Sequence, residues 1–213
     1  MKSRSLLALA ALLVVAPITA CAQDAPAPKP LALGATIPLA ETKLKGVDGK
    51  EVSLAGVKGA KGTLVVFTCN ACPWVKKWDA RVAAIGNDAA KRGLGVIAIN
   101  SNDPKQNPED GYDVMQARAK KHGLKFAYAV DGTSDVARAF GATRTPEAFL
   151  FDADGKLVYH GTIDDNADDA KKVTKSYLKD AVAAVAAGKA VPMAQTKALG
   201  CGIKFRGKSA AAS

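Results

Sequence analysis

Cys69 and Cys72 bracket two residues at the end of an apolar run, Gly62-Thr-Leu-Val-Val-Phe-Thr68, and Pro73 follows at once. A buried strand, a tight turn and a helix opening at Pro73 account for that order. Proline costs little in a first helical turn, where its missing N–H would have had no intrahelical partner. The same helix end carries partial positive charge and free N–H groups, both of which favour a thiolate over a thiol. A cysteine held there becomes a nucleophile near neutral pH, and a second cysteine one turn away can resolve a mixed disulfide. The chemistry expected of this pair is therefore thiol–disulfide exchange. A purely structural bond is poorly motivated, since so small a loop stabilises little through chain entropy.

The elements around the pair follow from apolar spacing. Thr63–Thr68 is a central strand. A helix from Pro73 to about Lys91 places Val75, Trp78, Val82 and Ile85 at helical intervals and stops at Gly93. Leu94–Asn100 is a second buried strand, which makes the three a parallel crossover unit. A helix from Tyr112 to about His122, a strand Phe126–Val130, and a short helix Ser134–Phe140 capped by Ser134 come next. Glu147–Phe151 and Lys156–Gly161 form an antiparallel hairpin around Asp152–Gly155, and a helix from Val173 to about Ala187 closes the pattern. Turn residues at Val47–Lys50 predict a hairpin ahead of the first central strand. The fold class is α/β, a central mixed sheet flanked by helices, with an N-terminal hairpin extension and a C-terminal tail.

Lys2 and Arg4 precede an unbroken apolar run, Leu6–Val15, too short for a membrane span of about 20 residues. Residues 1–22 are expected to be an export signal. Ile18-Thr19-Ala20-Cys21 resembles a bacterial lipobox, in which residues 1–20 are removed and Cys21 is lipidated; Ala20-Cys21-Ala22 also fits ordinary signal cleavage. Both lead to a bacterial periplasm, the first as a lipid-anchored protein. Residues 23–30 are a proline-rich linker, 31–190 a single domain, and 191–213 a tail containing Cys201. The net charge of +10 comes from lysines scattered among acids with no arginine–aromatic cluster, which argues against nucleic-acid binding.

The strand order, the cysteine pair after a central strand and Thr145-Pro146 before the last hairpin resemble the thioredoxin superfamily. Phe67-Thr-Cys-Asn-Ala-Cys-Pro-Trp-Val75, Ile99-Asn-Ser-Asn-Asp103, Thr145-Pro-Glu-Ala-Phe-Leu-Phe-Asp152 and Gly200-Cys-Gly-Ile-Lys-Phe205 resemble its redoxin branch, the peroxiredoxin-like proteins that carry a C-x-x-C, over roughly Leu31 to Phe205. The resemblance implies that Cys69 attacks and Cys72 resolves. It also implies that Pro146 is cis, leaving Thr145 to offer backbone hydrogen bonds to a substrate chain. Trp74 is expected in the core or on an apolar rim for docking partners, and Trp78 in the core. Protein or small-molecule disulfides and thiols are the implied substrates, together with a redox partner that recycles the pair; no cofactor or metal is expected.

Cys201 is left over in an oxidising compartment. It is either a buried inert thiol or, because glycines on both sides let the backbone approach closely, an additional redox thiol near Cys69 or Cys72. His122 and His160 read as surface residues, and Asp164–Asp169 as a solvated acidic loop. Two other functions compete. A thiol peroxidase needs Pro-x-x-x-Thr/Ser-x-x-Cys, but the matching positions are Val65 and Cys69 counted from Cys72, or Gly62 and Val66 counted from Cys69. A copper chaperone of this fold uses C-x-x-x-C and a histidine where Thr145-Pro146 stands, although two soft thiolates still suit Cu(I).

Overall fold

The computed structural model describes residues 29–207; the predicted signal, Cys21 and most of the linker lie outside that range. Its main sheet contains β1 (Leu44–Gly46), β2 (Glu51–Val52), β3 (Thr63–Thr68), β4 (Gly95–Asn100), β5 (Ala127–Val130), β7 (Glu147–Phe151) and β8 (Leu157–Gly161), in the order β2-β1-β5-β4-β3-β7-β8. β3 runs parallel to β4 and antiparallel to β7.

Alternation along β3 explains its unbroken apolar run. Leu64 and Val66 face α1 (Pro73–Lys91) and α4 (Tyr177–Ala186), where Trp78, Leu178 and Val182 pack. Val65 and Phe67 face the opposite layer, where α3 (Asp135–Phe140) contributes Val136 and Phe140 and the N-terminal segment adds Leu44 and Leu54. A strand buried on both faces needs no polar side. α2 (Tyr112–Lys121) lies on the α1 side, with Met115 against Ala98 and Tyr128. The N-terminal hairpin is part of this sheet: β1 pairs with β5, and its turn is tied by the Lys50 N–H donating to Asp48 Oδ1 at 3.1 Å.

Several expectations are corrected. α4 begins at Tyr177 rather than Val173, because the Thr174 N–H is held by Asp165 Oδ1 at 3.0 Å in a non-helical approach. Ser134 does not cap α3; its hydroxyl donates to Ser101 O at 2.7 Å, while Asp131 Oδ2 accepts the Ala137 N–H at 3.0 Å. Asp164 is buried, not solvated, and accepts the Trp78 indole N–H at 2.8 Å and Arg81 at 2.6 Å. His160 is buried on Glu147 at 2.6 Å, and His122 is half-buried against Asp79 at 3.3 Å.

The residues after α4 return across the sheet. His160 donates its N–H to Ala194 O and accepts from the Thr196 N–H, each at 3.0 Å. Beyond them, β9 (Cys201–Gly202) pairs antiparallel with β6 (Arg144–Thr145), and Phe205 bridges to Asn102.

Candidate active site

β3 delivers the chain to Cys69, and Cys72 is the N-cap of α1 with Pro73 in the first turn. The two residues between them are anchored from across the molecule. Asp110, buried, accepts the Asn70 N–H at 2.6 Å and the Ala71 N–H at 3.3 Å through Oδ1, and the Asn102 amide at 2.9 Å through Oδ2. Asn70 donates to Glu109 O at 2.9 Å and accepts from the Tyr128 hydroxyl at 2.9 Å and from Arg118 at 3.2 Å. Arg118 also donates to the Cys69 carbonyl and pairs with Asp79. Burial pushes the Tyr128 hydroxyl well above its ordinary pKa, so it stays protonated and donates.

Thr145 faces both sulfurs. Its Oγ1 lies 3.1 Å from Cys69 Sγ and its carbonyl oxygen 3.3 Å from Cys72 Sγ; the Thr145–Pro146 bond is cis. Glu147 shapes the approach to that residue: Oε2 accepts the Thr143 and Arg144 N–H groups at 2.9 Å each, and Oε1 meets His160 Nε2. Trp74 is half-buried, 5.8 Å from the Trp78 ring, and packs beside the three cysteines. A cleft of about 240 Å³ opens onto Cys69, Cys72 and Cys201, with Asn102, Asp110 and Lys204 in its wall. Larger clefts lie elsewhere, one of them beside Asp152 and Lys189.

The electrostatics favour a thiolate at Cys72 over one at Cys69, whereas the family resemblance implies first attack by Cys69. Cys72 is lowered from 9.0 to about 5, first by its hydrogen bond with Cys69 and then, against the cost of burial, by that with Cys201. Cys69 is pushed up by the same Cys72 bond, by burial and by the nearby Asp110 carboxylate. Cys201 is raised to about 11, mainly by burial and then by Cys72. These directions favour a thiolate at Cys72, the N-cap of α1, over one at Cys69 or Cys201.

Two further expectations about the site have definite outcomes. Thr145 does not present a free edge, because β9 is paired with it in register Thr145↔Cys201. Cys201 comes to Cys72, with 2.6 Å between the sulfurs. Asp110, Arg118 and the Glu147–His160 pair were absent from the sequence reading. Asp110 reaches Asn70 across 40 residues of sequence, Arg118 reaches the Cys69 carbonyl across 49 and His160 reaches Glu147 across 13, and no local spacing signals these contacts.

Residues 32–178 match the Redoxin family. A hypothetical protein of Sinorhizobium meliloti 1021 superposes with a TM-score of 0.76 at 37% identity, over 84% of this chain and 97% of that one. An uncharacterized conserved protein of Geobacillus kaustophilus gives 0.77 at 37% identity, over 84% and 94%. The thiol-disulfide oxidoreductase ResA of Geobacillus thermodenitrificans is 27% identical over 127 residues, 60% of this chain and 67% of the relative.

Proposed function

The chain belongs to the redoxin family, and on that premise we propose that it is an exported thiol–disulfide oxidoreductase working through Cys69 and Cys72. The observation that carries this reading is Cys72 at the N-terminus of α1, with Cys69 just ahead of it at the end of β3 and Thr145 facing both sulfurs. The Cys72 thiolate attacks one sulfur of a substrate disulfide and expels the other as a thiolate. Cys69, losing its proton, then attacks Cys72 Sγ and releases the second substrate thiolate, leaving a Cys69–Cys72 disulfide and a reduced substrate. Run backwards, the same steps oxidise a dithiol. The family resemblance assigns first attack to Cys69 and the charge distribution assigns it to Cys72. Trapping a mixed disulfide on Cys69→Ser or on Cys72→Ser separates the two orders.

Asp110 and Asn70 hold the loop between the cysteines, and Arg118 steadies its start through the Cys69 carbonyl. That orientation of Arg118, toward a backbone oxygen, gives no support to a peroxide-binding arginine. The copper reading gains no histidine from the fold, since His122 and His160 each meet a carboxylate. Export rests on the apolar run Leu6–Val15, and lipidation at Cys21 on the lipobox-like residues before it.

A glutathione redox titration, quenched by alkylation and read by mass at each cysteine, tests the proposal. A reversible Cys69–Cys72 disulfide supports it; its absence at every potential removes it. A potential near about −270 mV identifies a reductase and one near about −120 mV an oxidant.

A further inference from the structure

The segment that pairs with Thr145 is the chain's own C-terminal strand. An extended peptide recognised beside a sheet edge gains affinity from main-chain hydrogen bonds and specificity from its side chains. β9 does this in cis: it lies antiparallel to Arg144–Thr145 and carries a cysteine at the position facing Cys72. The fit is built into the residues around it. A Cβ at Gly200 would stand 2.1 Å from the Thr145 carbonyl oxygen, so only glycine allows the strand this close. Past Cys201, the Ile203 N–H donates to Thr143 O at 2.9 Å, the Lys204 N–H to Asn102 Oδ1 at 2.9 Å and the Arg206 N–H to Ser134 Oγ at 2.9 Å. Asn102 also donates to Asp110, the carboxylate that anchors Asn70 and Ala71, so one short network holds both sides of the sulfur cluster.

We infer that β9 is a built-in substrate strand and that Cys201 is a third redox thiol, which exchanges with Cys69 for the same sulfur of Cys72. This rests on the thiol–disulfide reading above and deepens it by assigning the site an internal partner. Starting from the Cys69–Cys72 disulfide, the Cys201 thiol loses its proton and attacks Cys72 Sγ. The Cys72–Cys201 bond forms, the Cys69–Cys72 bond breaks, and Cys69 leaves as a thiolate that takes up a proton. The step is an isomerisation of one disulfide, with no net oxidation and no outside reagent. The bulk of the cluster shifts little, since the two sulfurs are already 2.6 Å apart against about 2.05 Å in a disulfide. While β9 is seated, the Thr145 edge is closed to an external peptide, and the cleft of about 240 Å³ is the route left to a small disulfide.

The test is disulfide mapping of the exported chain. The protein is equilibrated across glutathione buffers, quenched with N-ethylmaleimide and digested without reduction, and linked peptides are read by mass. The expected result is a Cys72–Cys201 peptide beside the Cys69–Cys72 peptide in the wild type, and Cys72–Cys201 as the intramolecular linkage in Cys69→Ser. Gly200→Val should cut the Cys72–Cys201 share at least tenfold, with the Cys69–Cys72 share as internal reference. Cys201 alkylated at every potential in the wild type overturns the inference, whether or not either variant folds. If Cys69–Cys72 still forms in that case, the oxidoreductase reading stands and only the internal partner is lost. If no intramolecular linkage forms at any potential, both fall.

Discussion

Acidity at Cys72 should be read from a pH profile rather than from a rate at one pH. With a pKa of about 5 instead of 9.0, Cys72 is almost wholly thiolate at pH 7, where an unperturbed cysteine is about 1% thiolate, a gain of about 100-fold in the reactive species. Nucleophilicity falls as pKa falls, with a Brønsted slope of about 0.4–0.5, so four units remove about 40- to 100-fold per thiolate. The two effects nearly cancel at pH 7. At pH 6 the population gain is about 900-fold, leaving Cys72 about 10- to 20-fold faster than an unperturbed thiol; at pH 9 it is about 20- to 50-fold slower. Burial lowers every point by the same factor and leaves the shape alone. The assay is alkylation of the reduced protein by limiting iodoacetamide from pH 4 to pH 9, with each cysteine followed by peptide mass. The expected Cys72 rate is flat from about pH 6 upward and falls as the thiolate protonates near pH 5. A Cys72 rate that rises tenfold per unit through pH 8 refutes the electrostatic argument. So does a transition near pH 5 that belongs to the Cys69 peptide.

Asp110→Ala should lower the stability of the reduced protein by about 2–4 kcal/mol, because two backbone N–H groups and the Asn102 amide lose a buried acceptor. Asp110→Asn retains one acceptor oxygen and should lose less; urea midpoints for both variants equal to that of the wild type would show that the carboxylate anchors nothing. Asp164→Ala should cost about 2–4 kcal/mol, since it strands the Trp78 indole N–H and leaves a largely buried Arg81 with only its carbonyl contacts to Lys77, Asn166 and Ala167. A thermal-melt change worth less than about 0.5 kcal/mol, the range of an ordinary surface substitution, would contradict it. Gly200→Val should speed reaction with a cysteine-bridged peptide about tenfold relative to glutathione disulfide, the gain expected when an edge free about 10% of the time becomes fully free. An unchanged ratio in stopped-flow kinetics would mean that the tail does not compete for Thr145.

What could be read from the chain beforehand was what local chemistry dictates. The run Thr63–Thr68 announced a strand buried on both faces, Pro73 announced a helix start, and Thr145-Pro146 stood out because few residues so restrict a backbone. What escaped was pairing at a distance. Asp110 is an ordinary aspartate in a polar loop until the fold brings Asn70 and Ala71 to it. His160 looked solvent-facing because its partner, Glu147, sits on the neighbouring strand, and Asp164 hid in an acidic run whose other members are largely exposed. The glycines flanking Cys201 did signal close approach, but not which sulfur would be met. That depended on β9 choosing Arg144–Thr145 as its partner.

The contact between Cys72 and Cys201 spans 129 residues of sequence. A chain grows from its N-terminus at about 5–20 residues per second, so Cys69 and Cys72 exist together for roughly 6–26 s before Cys201 is made. A chain that meets an oxidant before its tail is made or seated can close only the Cys69–Cys72 bond, whereas a folded and fully reduced chain can close either bond to Cys72. The ratio of the two linkages therefore reports whether oxidation came before or after β9 took its place beside Thr145.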